Sequence, residues 1–486
     1  MHVLVIGGGI SGLAAAHQLL ADGARVTVLE AGAVLGGKLR AGSIAGAAAV
    51  DLGAESLLAR RPEAVELARA VGLGERLAPP SVAGGALWTR GAVRPMPKGH
   101  VMGVPGDPAA VEGVVSPEGL ARIEEDERLP RTEVGEDVSV GDYVAGRLGR
   151  EVVDRLVEPL LGGVYAGDAY RISLRAAVPQ LYEAARDERS LLAGVRALQR
   201  RAAAAPARTG PVFMGIEGGV GRLPGAVADA CTAKGADIRR STPVRELRRT
   251  AGEDGARDWI AVTDHATVRG DAVVVAVPAP AAARLLGPHA PAAAAGLDQV
   301  AYASMALVTL AFRRADCGGL PDGSGFLVPP VDGRAIKAAT FSTRKWGWVA
   351  EQDPGLFVLR TSLGRHGEER VLERDDAELV ELSLADLRAA TGLRARPVDT
   401  LVTRWRGGLP QYPVGHLERV SQIKDAVARV PGLAVAGAVY EGVGIPACVA
   451  AGRRAARHLV QHPANPADPT VPQAGETGER EQRREP

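Results

Sequence analysis

The stretch that most constrains this chain is its beginning, MHVLVIGGGISGLAAAHQLLADGARVTVLEAGAVLGGKLR. Val3 to Ile6 is short, apolar and rich in β-branched residues, the signature of a buried parallel strand. Gly7, Gly9 and Gly12 follow in G-x-G-x-x-G register, and Ser11 to Ala21 has a helix composition. Arg25 to Leu29 is a second strand, closed by Glu30. In such a unit the first glycine makes the tight turn and the second lets backbone approach a pyrophosphate. The third lets helix pack on strand, and the acid accepts from ribose hydroxyls about 20 residues on. The helix N-terminus, here Ile10 and Ser11, offers free N–H groups to the anion. A dinucleotide site is therefore expected, and Glu30 argues against a 2′-phosphate.

The totals narrow the setting. A chain of 486 residues is long for one core. Lys+Arg 58 against Asp+Glu 57 gives no electrostatic case for nucleic acid. No apolar run reaches membrane-spanning length and the chain enters a strand at once, so neither an anchor helix nor a signal peptide is expected. Cys231, Cys317 and Cys448 are scattered and in no metal-ligand spacing. They read as reduced thiols in a cytoplasmic protein that needs no metal.

Further along, Arg61 to Leu73 is an amphipathic helix, and Leu87 to Pro97 is a hairpin turning at Arg90-Gly91. Residues 105–208 change to a helical pattern with charge-rich breaks such as Glu124 to Arg128, and the Gly162-Gly163 pair marks a turn. The glycines of Gly215 to Leu223 read as a turn before a helix, not a second nucleotide loop. Asp271 to Pro278 is a buried strand. Tyr302 to Arg404 is strand-rich, with a helix over Asp375 to Thr391. From Pro463 the chain is too polar to build a core and is expected to be disordered. Near the C-terminus, Gly432 to Gly437, then Val443-Gly444-Ile445-Pro446, form a strand, a glycine turn and a helix with proline in its first turn. That is a second anion-facing helix N-terminus.

Gly36-Gly37-Lys38, following Glu30 and Ala31, resembles the extended fingerprint of FAD proteins of the amine-oxidase and glutathione-reductase-like superfamily. The stretch with Gly53, Ala54 and Glu55 resembles the segment passing beneath the flavin. In that superfamily, the residue at Val244 contacts adenine through its backbone and the strand end at Val277 lies near the dinucleotide. The resemblance implies an α/β fold: an FAD-binding Rossmann-type domain interleaved with a mixed-sheet substrate domain and a helical insertion. The expected division is 1–80, 209–285 and 405–462 for FAD, 81–104 and 286–404 for substrate, 105–208 for the insertion, and 463–486 for the tail.

Leu409-Pro-Gln-Tyr-Pro-Val-Gly-His416, Leu156 to Asp168, Phe326 to Pro329 and Gly442 to Pro446 together resemble the oxygen-dependent porphyrinogen oxidases of haem biosynthesis. This implies non-covalent FAD, a porphyrinogen substrate, molecular oxygen as acceptor and hydrogen peroxide as by-product, with product handed to a ferrochelatase-type enzyme. Flavin carries the redox step, so no catalytic side chain is assigned, and His416 reads as a structural hydrogen-bonder. Backbone amides at Gly437, Val443, Gly444 and Ile445 are expected near the flavin. Candidate substrate residues are Arg90, Arg94 and Lys98 for rim carboxylates, and Leu160, Val164, Tyr165 and Tyr412 for the macrocycle. The family's usual carboxylate-binding arginine before Leu87 is replaced by Gly84 and Gly85. The resemblance implies two branches, one taking protoporphyrinogen IX with many members on membranes, the other taking coproporphyrinogen III as soluble protein of Gram-positive bacteria. The charge-interrupted helices of the insertion, the lack of an apolar membrane-binding segment and a composition suited to a GC-rich source favour the second. A flavin amine oxidase or a carotenoid desaturase shares the same frame.

Overall fold

The computed structural model describes residues 1–46, 48–204, 210–251 and 257–462; the expected disordered tail lies outside them. A five-stranded parallel sheet runs in the order Asp237–Arg239, Arg25–Leu29, His2–Ile6, Ala272–Val275, Leu433–Val435. Period-two alternation sends Val3 and Val5 to one core and Leu4 and Ile6 to another, which is why the strand reads as continuously apolar. On the first face, helix Ile10–Ala21 is crossed by helix Ile445–Gln461. The crossing is close because Gly452 lies against Ser11: a Cβ there would sit 2.1 Å from the Ser11 carbonyl oxygen. Opposite ends of the chain thus meet at the first glycine loop.

A seven-stranded sheet runs Asp399–Pro410, Tyr302–Arg313, Leu356–Leu363, Ile336–Thr340, Gly325–Leu327, Ala86–Thr89, Ala92–Pro95. The last two strands are the expected hairpin, with Arg90 and Gly91 both at positive φ, as a two-residue type I′ turn requires. Helix Asp376–Thr391 covers this sheet and is fixed by a capping box between Asp375 and Glu378.

Helices within residues 117–204 share a third core. Two details here depart from the sequence expectation. The charge-rich break at Glu124 to Arg128 hides a fully buried Asp126, which accepts from Arg147 Nε (2.5 Å), Ser190 Oγ and the Leu192 N–H. Gly162 and Gly163 stand inside helix Glu158–Tyr165 and not at a turn; the helix ends at Ala166 in left-handed conformation. Packing on its neighbours holds a helix that glycine alone would weaken.

Candidate functional site

A cavity of about 870 Å³ opens where the carboxyl ends of the parallel strands face the seven-stranded sheet. Ligands of open α/β sheets bind in this crevice because the loops leaving the strand ends present free amides there. Gly7, Gly9, Ile10, Ser11, Glu30, Ala31, Gly36, Gly37, Lys38, Gly53, Ala54, Glu55, Val244, Val277, Gly437, Val443, Gly444 and Ile445 all line it. Gly12 does not. It lies beneath, where a Cβ would be 2.0 Å from the Gly7 carbonyl oxygen, so it serves helix–strand contact.

The cradle suits a dinucleotide. Gly9 caps helix Ile10–Ala21 and Gly444 caps helix Ile445–Gln461, neither with a side-chain acceptor, so the first-turn N–H groups are left for a ligand. A Cβ on Gly9 would meet no protein atom within 4 Å, so packing within the protein does not require glycine there and the open space beside it is left for a ligand. The Glu30 carboxylate accepts from Gly8 N–H (2.7 Å) and Gly32 N–H (2.6 Å) and keeps lone pairs for ribose hydroxyls. Burial lowers the Lys38 ammonium below its ordinary value. The loop Gly218 to Gly221 is no second nucleotide site. Its Val220 and Gly221 N–H groups are taken by the Asp51 carboxylate, which burial raises to about 6.

In the cavity wall lies an ion triad unsignalled by the sequence. Glu55 pairs with Lys345 and with Arg360 (3.1 Å), while Arg360 also donates to the Gly53 carbonyl (2.9 Å). Burial alone would raise the Glu55 carboxyl, but Arg360 and Lys345 hold it below the usual range. The triad clamps the segment under the cofactor end to the mixed sheet.

The substrate candidates are placed differently. Of these, Val164 lines the cavity, and Arg90, Arg94, Lys98, Leu160, Tyr165 and Tyr412 do not. The hairpin carrying Arg90 and Arg94, with Lys98 just after it, is the far edge of the seven-stranded sheet. Arg90 donates to the Val114 carbonyl (2.9 Å) and pairs with Glu151; Arg94 is half-buried and Lys98 exposed. Tyr165 and Tyr412 pack on each other, centroids 5.5 Å apart, behind the wall. His416 stacks on Tyr412 at 4.1 Å and donates through Nε2 to the Val439 carbonyl (3.0 Å). Burial pushes it down to about 4, so it is a neutral structural donor.

The wall also holds residues that sequence reasoning missed: Tyr302, Met305, Leu307 and Trp405 from two paired strands, Lys337 and Thr340 from a third. Strand pattern marks them as sheet residues, yet the face toward the cavity is known only once strands pair. The lysine in Ala335-Ile-Lys-Ala-Ala339 was the one available signal, a charge inside an apolar strand.

The chain matches the flavin containing amine oxidoreductases over residues 10–460 and belongs to that family. It is a flavin-dependent oxidoreductase with the α/β fold described above. It is 38% identical to the coproporphyrinogen III oxidase of Mycobacterium tuberculosis, over 94% of this chain and 97% of that one. The Bacillus subtilis coproporphyrinogen III oxidase is 32% identical, over 93% and 97%. An Exiguobacterium crystal structure, provisionally assigned as a protoporphyrinogen oxidase, superposes with a TM-score of 0.82 at 30% identity, covering 94% of this chain and 98% of that one. Cyclohexylamine oxidase from Brevibacterium oxydans, at 20% identity and a TM-score of 0.69 over 95% and 98%, shares the fold.

Proposed function

We propose that this chain oxidises coproporphyrinogen III to coproporphyrin III, with non-covalent FAD as cofactor and molecular oxygen as final acceptor, releasing hydrogen peroxide. The observation that carries the reading is one continuous cavity, with glycine loops and helix N-termini at one end and an apolar sheet face at the other, in a chain so similar to coproporphyrinogen III oxidases. The segments 1–80, 209–285 and 405–462 then serve as the cofactor unit, 81–104 and 286–404 as the substrate unit, and 105–208 as its helical cover.

When bound, FAD supplies the two-electron acceptor that oxygen regenerates. The chain's residues supply position and field. Gly7, Gly9 and Ser11 would hold the pyrophosphate, Glu30 the ribose, and the Val244 backbone the adenine. Main-chain donors at Val443 and Gly444, with the helix that starts there, would stabilise the negative charge the flavin gains on reduction. Tyr302, Met305, Leu307, Leu327 and Leu409 line an apolar pocket that excludes water from the macrocycle. Aromatisation drives the reaction, so no dedicated acid–base pair is required. Cys448 reaches the wall, but burial raises its thiol and its Sγ lies 3.7 Å from the Gly442 carbonyl oxygen. It is a packing residue, not a covalent anchor.

Among the described residues no helix is long and apolar enough to cross a membrane. We place the enzyme in the cytoplasm, handing porphyrin to a ferrochelatase-type enzyme. The test is a spectrum of the purified protein followed by porphyrinogen in air. A flavin band, porphyrin fluorescence and peroxide are expected, with flavin released on acid denaturation. A much higher kcat/KM for protoporphyrinogen IX would exchange the substrate; a colourless protein that FAD cannot reconstitute would overturn the reading.

A further inference from the structure

We propose that Lys337 receives a peripheral carboxylate of the macrocycle inside the cavity and so sets substrate specificity, an inference that rests on the porphyrinogen reading. Strand Ile336–Thr340 pairs with Leu356–Leu363, and the register slips between Ile336 and Ala338. Lys337 stands at that slip, and a bulge re-aims the side chain it carries. Lys337, Ala338 and Thr340 all line the cavity, where strict alternation would present every second residue.

Lys337 is 7% exposed and its Nζ, buried in the cavity wall, has no hydrogen-bond partner, so a carboxylate meets it by a turn of the flexible lysine side chain toward the cavity. Its surroundings follow from the neighbouring contacts. A Cβ on Gly163 would lie 3.8 Å from a Leu327 methyl, and Leu327 pairs with Ala338. The lysine therefore sits where helix Glu158–Tyr165 closes over the mixed sheet, on the substrate side of the cavity. The charge bearing on it is a second cation, Arg365; the carboxylates of Glu368, Glu158 and Asp386 bear on Arg365 instead. Arg365 itself is spoken for by the Val328 carbonyl (3.1 Å) and Glu368 (3.5 Å).

A buried amine beside a guanidinium, with no acceptor, lacks an anion. On a porphyrinogen the rim carboxylates are the only anions, the pyrroles offering N–H donors. Burial and then Arg365 push the Lys337 ammonium down to about 7. An arriving carboxylate raises it again, so binding takes up a proton near neutrality. This assigns to Lys337 the role left open by Gly84 and Gly85 and not filled by the hairpin bases.

The experiment titrates coproporphyrin III and its tetramethyl ester into the oxidised flavoprotein, as wild type, Lys337→Met, Lys337→Gln and Lys337→Arg. Flavin absorbance reports that each variant is folded. Wild type should prefer the free acid and take up a proton on binding it at pH 7.5. Lys337→Met and Lys337→Gln should lose about tenfold or more in affinity for the acid, with ester binding unchanged. Lys337→Arg should keep the preference. If a neutral variant with full flavin binds the acid as wild type does, or weakens acid and ester alike, the lysine assignment falls while the porphyrin reading stands. A wild type that binds neither ligand and forms no porphyrin overturns both.

Discussion

The two ends of the cavity are built from different material. At the glycine-loop end the groups lining it are largely backbone: glycine turns, helix N-termini with no side-chain cap, and a Glu30 carboxylate braced by two main-chain N–H groups. At the mixed-sheet end the lining is contributed by residues of separate strands, Tyr302, Leu327, Lys337 and Trp405 among them. Backbone recognition is written in a short local motif, because a glycine's freedom and spacing are local properties. Side-chain recognition depends on which strands pair and in what register. One end can therefore be broken by adding a methyl group, and the other only by removing a particular function.

The largest effect expected on this contrast comes from Gly9→Val against Gly12→Val. At Gly9 a side chain meets no protein atom, so the variant should fold and lose flavin altogether. At Gly12 the Cβ strikes the Gly7 backbone at 2.0 Å, so folding itself should fail. Soluble yield and the flavin-to-protein absorbance ratio separate the two outcomes; full flavin in Gly9→Val would falsify the N-terminal assignment.

Next comes the triad that ties the two ends together. Glu55→Gln leaves Lys345 and Arg360 facing each other at a buried site. Breaking a buried pair from one side costs roughly 3–5 kcal/mol, to be read from urea denaturation of the variant. A loss within error of zero would mean that the ends are held by other contacts.

Lys337 gives a pH-dependent counterpart. Its folded value, about 7, lies below that of an unfolded lysine, so the unfolded chain binds more protons between the two. The Lys337 contribution to stability should therefore rise with pH from about 7 toward 10 and be most unfavourable below 7. Lys337→Met should accordingly be more stable than wild type at pH 6, on the order of a few kcal/mol, with the gap closing by pH 10. Thermal melts of both proteins at the two pH values check the sign. The smallest effect is at Glu30. Glu30→Ala should weaken flavin binding by about 1–3 kcal/mol, the scale of a charge-assisted hydrogen bond, as flavin dissociation would show.

The same contrast explains what could be read early and what could not. Helix Asp376–Thr391 was visible from its acidic start, because its capping box is local. The hairpin is legible from Arg90-Gly91, whereas its place at the sheet edge, which keeps Arg90 and Arg94 out of the cavity lining, follows only from strand pairing. Gly162-Gly163 looked like a turn because glycine propensity is local, while the packing that keeps it helical is not. Gly452 gives no signal at all; its function is a contact with Ser11, 441 residues away in sequence.

By itself, the sequence determined the dinucleotide loop, the acid that follows it, the second helix N-terminus at Gly444 and the family to which they belong. These depend on residue type at fixed short spacing, which the chain's covalent order imposes. Only the tertiary structure decided that Glu55 is clamped by Lys345 and Arg360, that Arg90 spends its charge on Glu151, and that Lys337 is buried in the cavity wall with its Nζ unpartnered. Burial and partnership are properties of the packed whole, and the free energy of a charge follows its surroundings more than its neighbours in the chain.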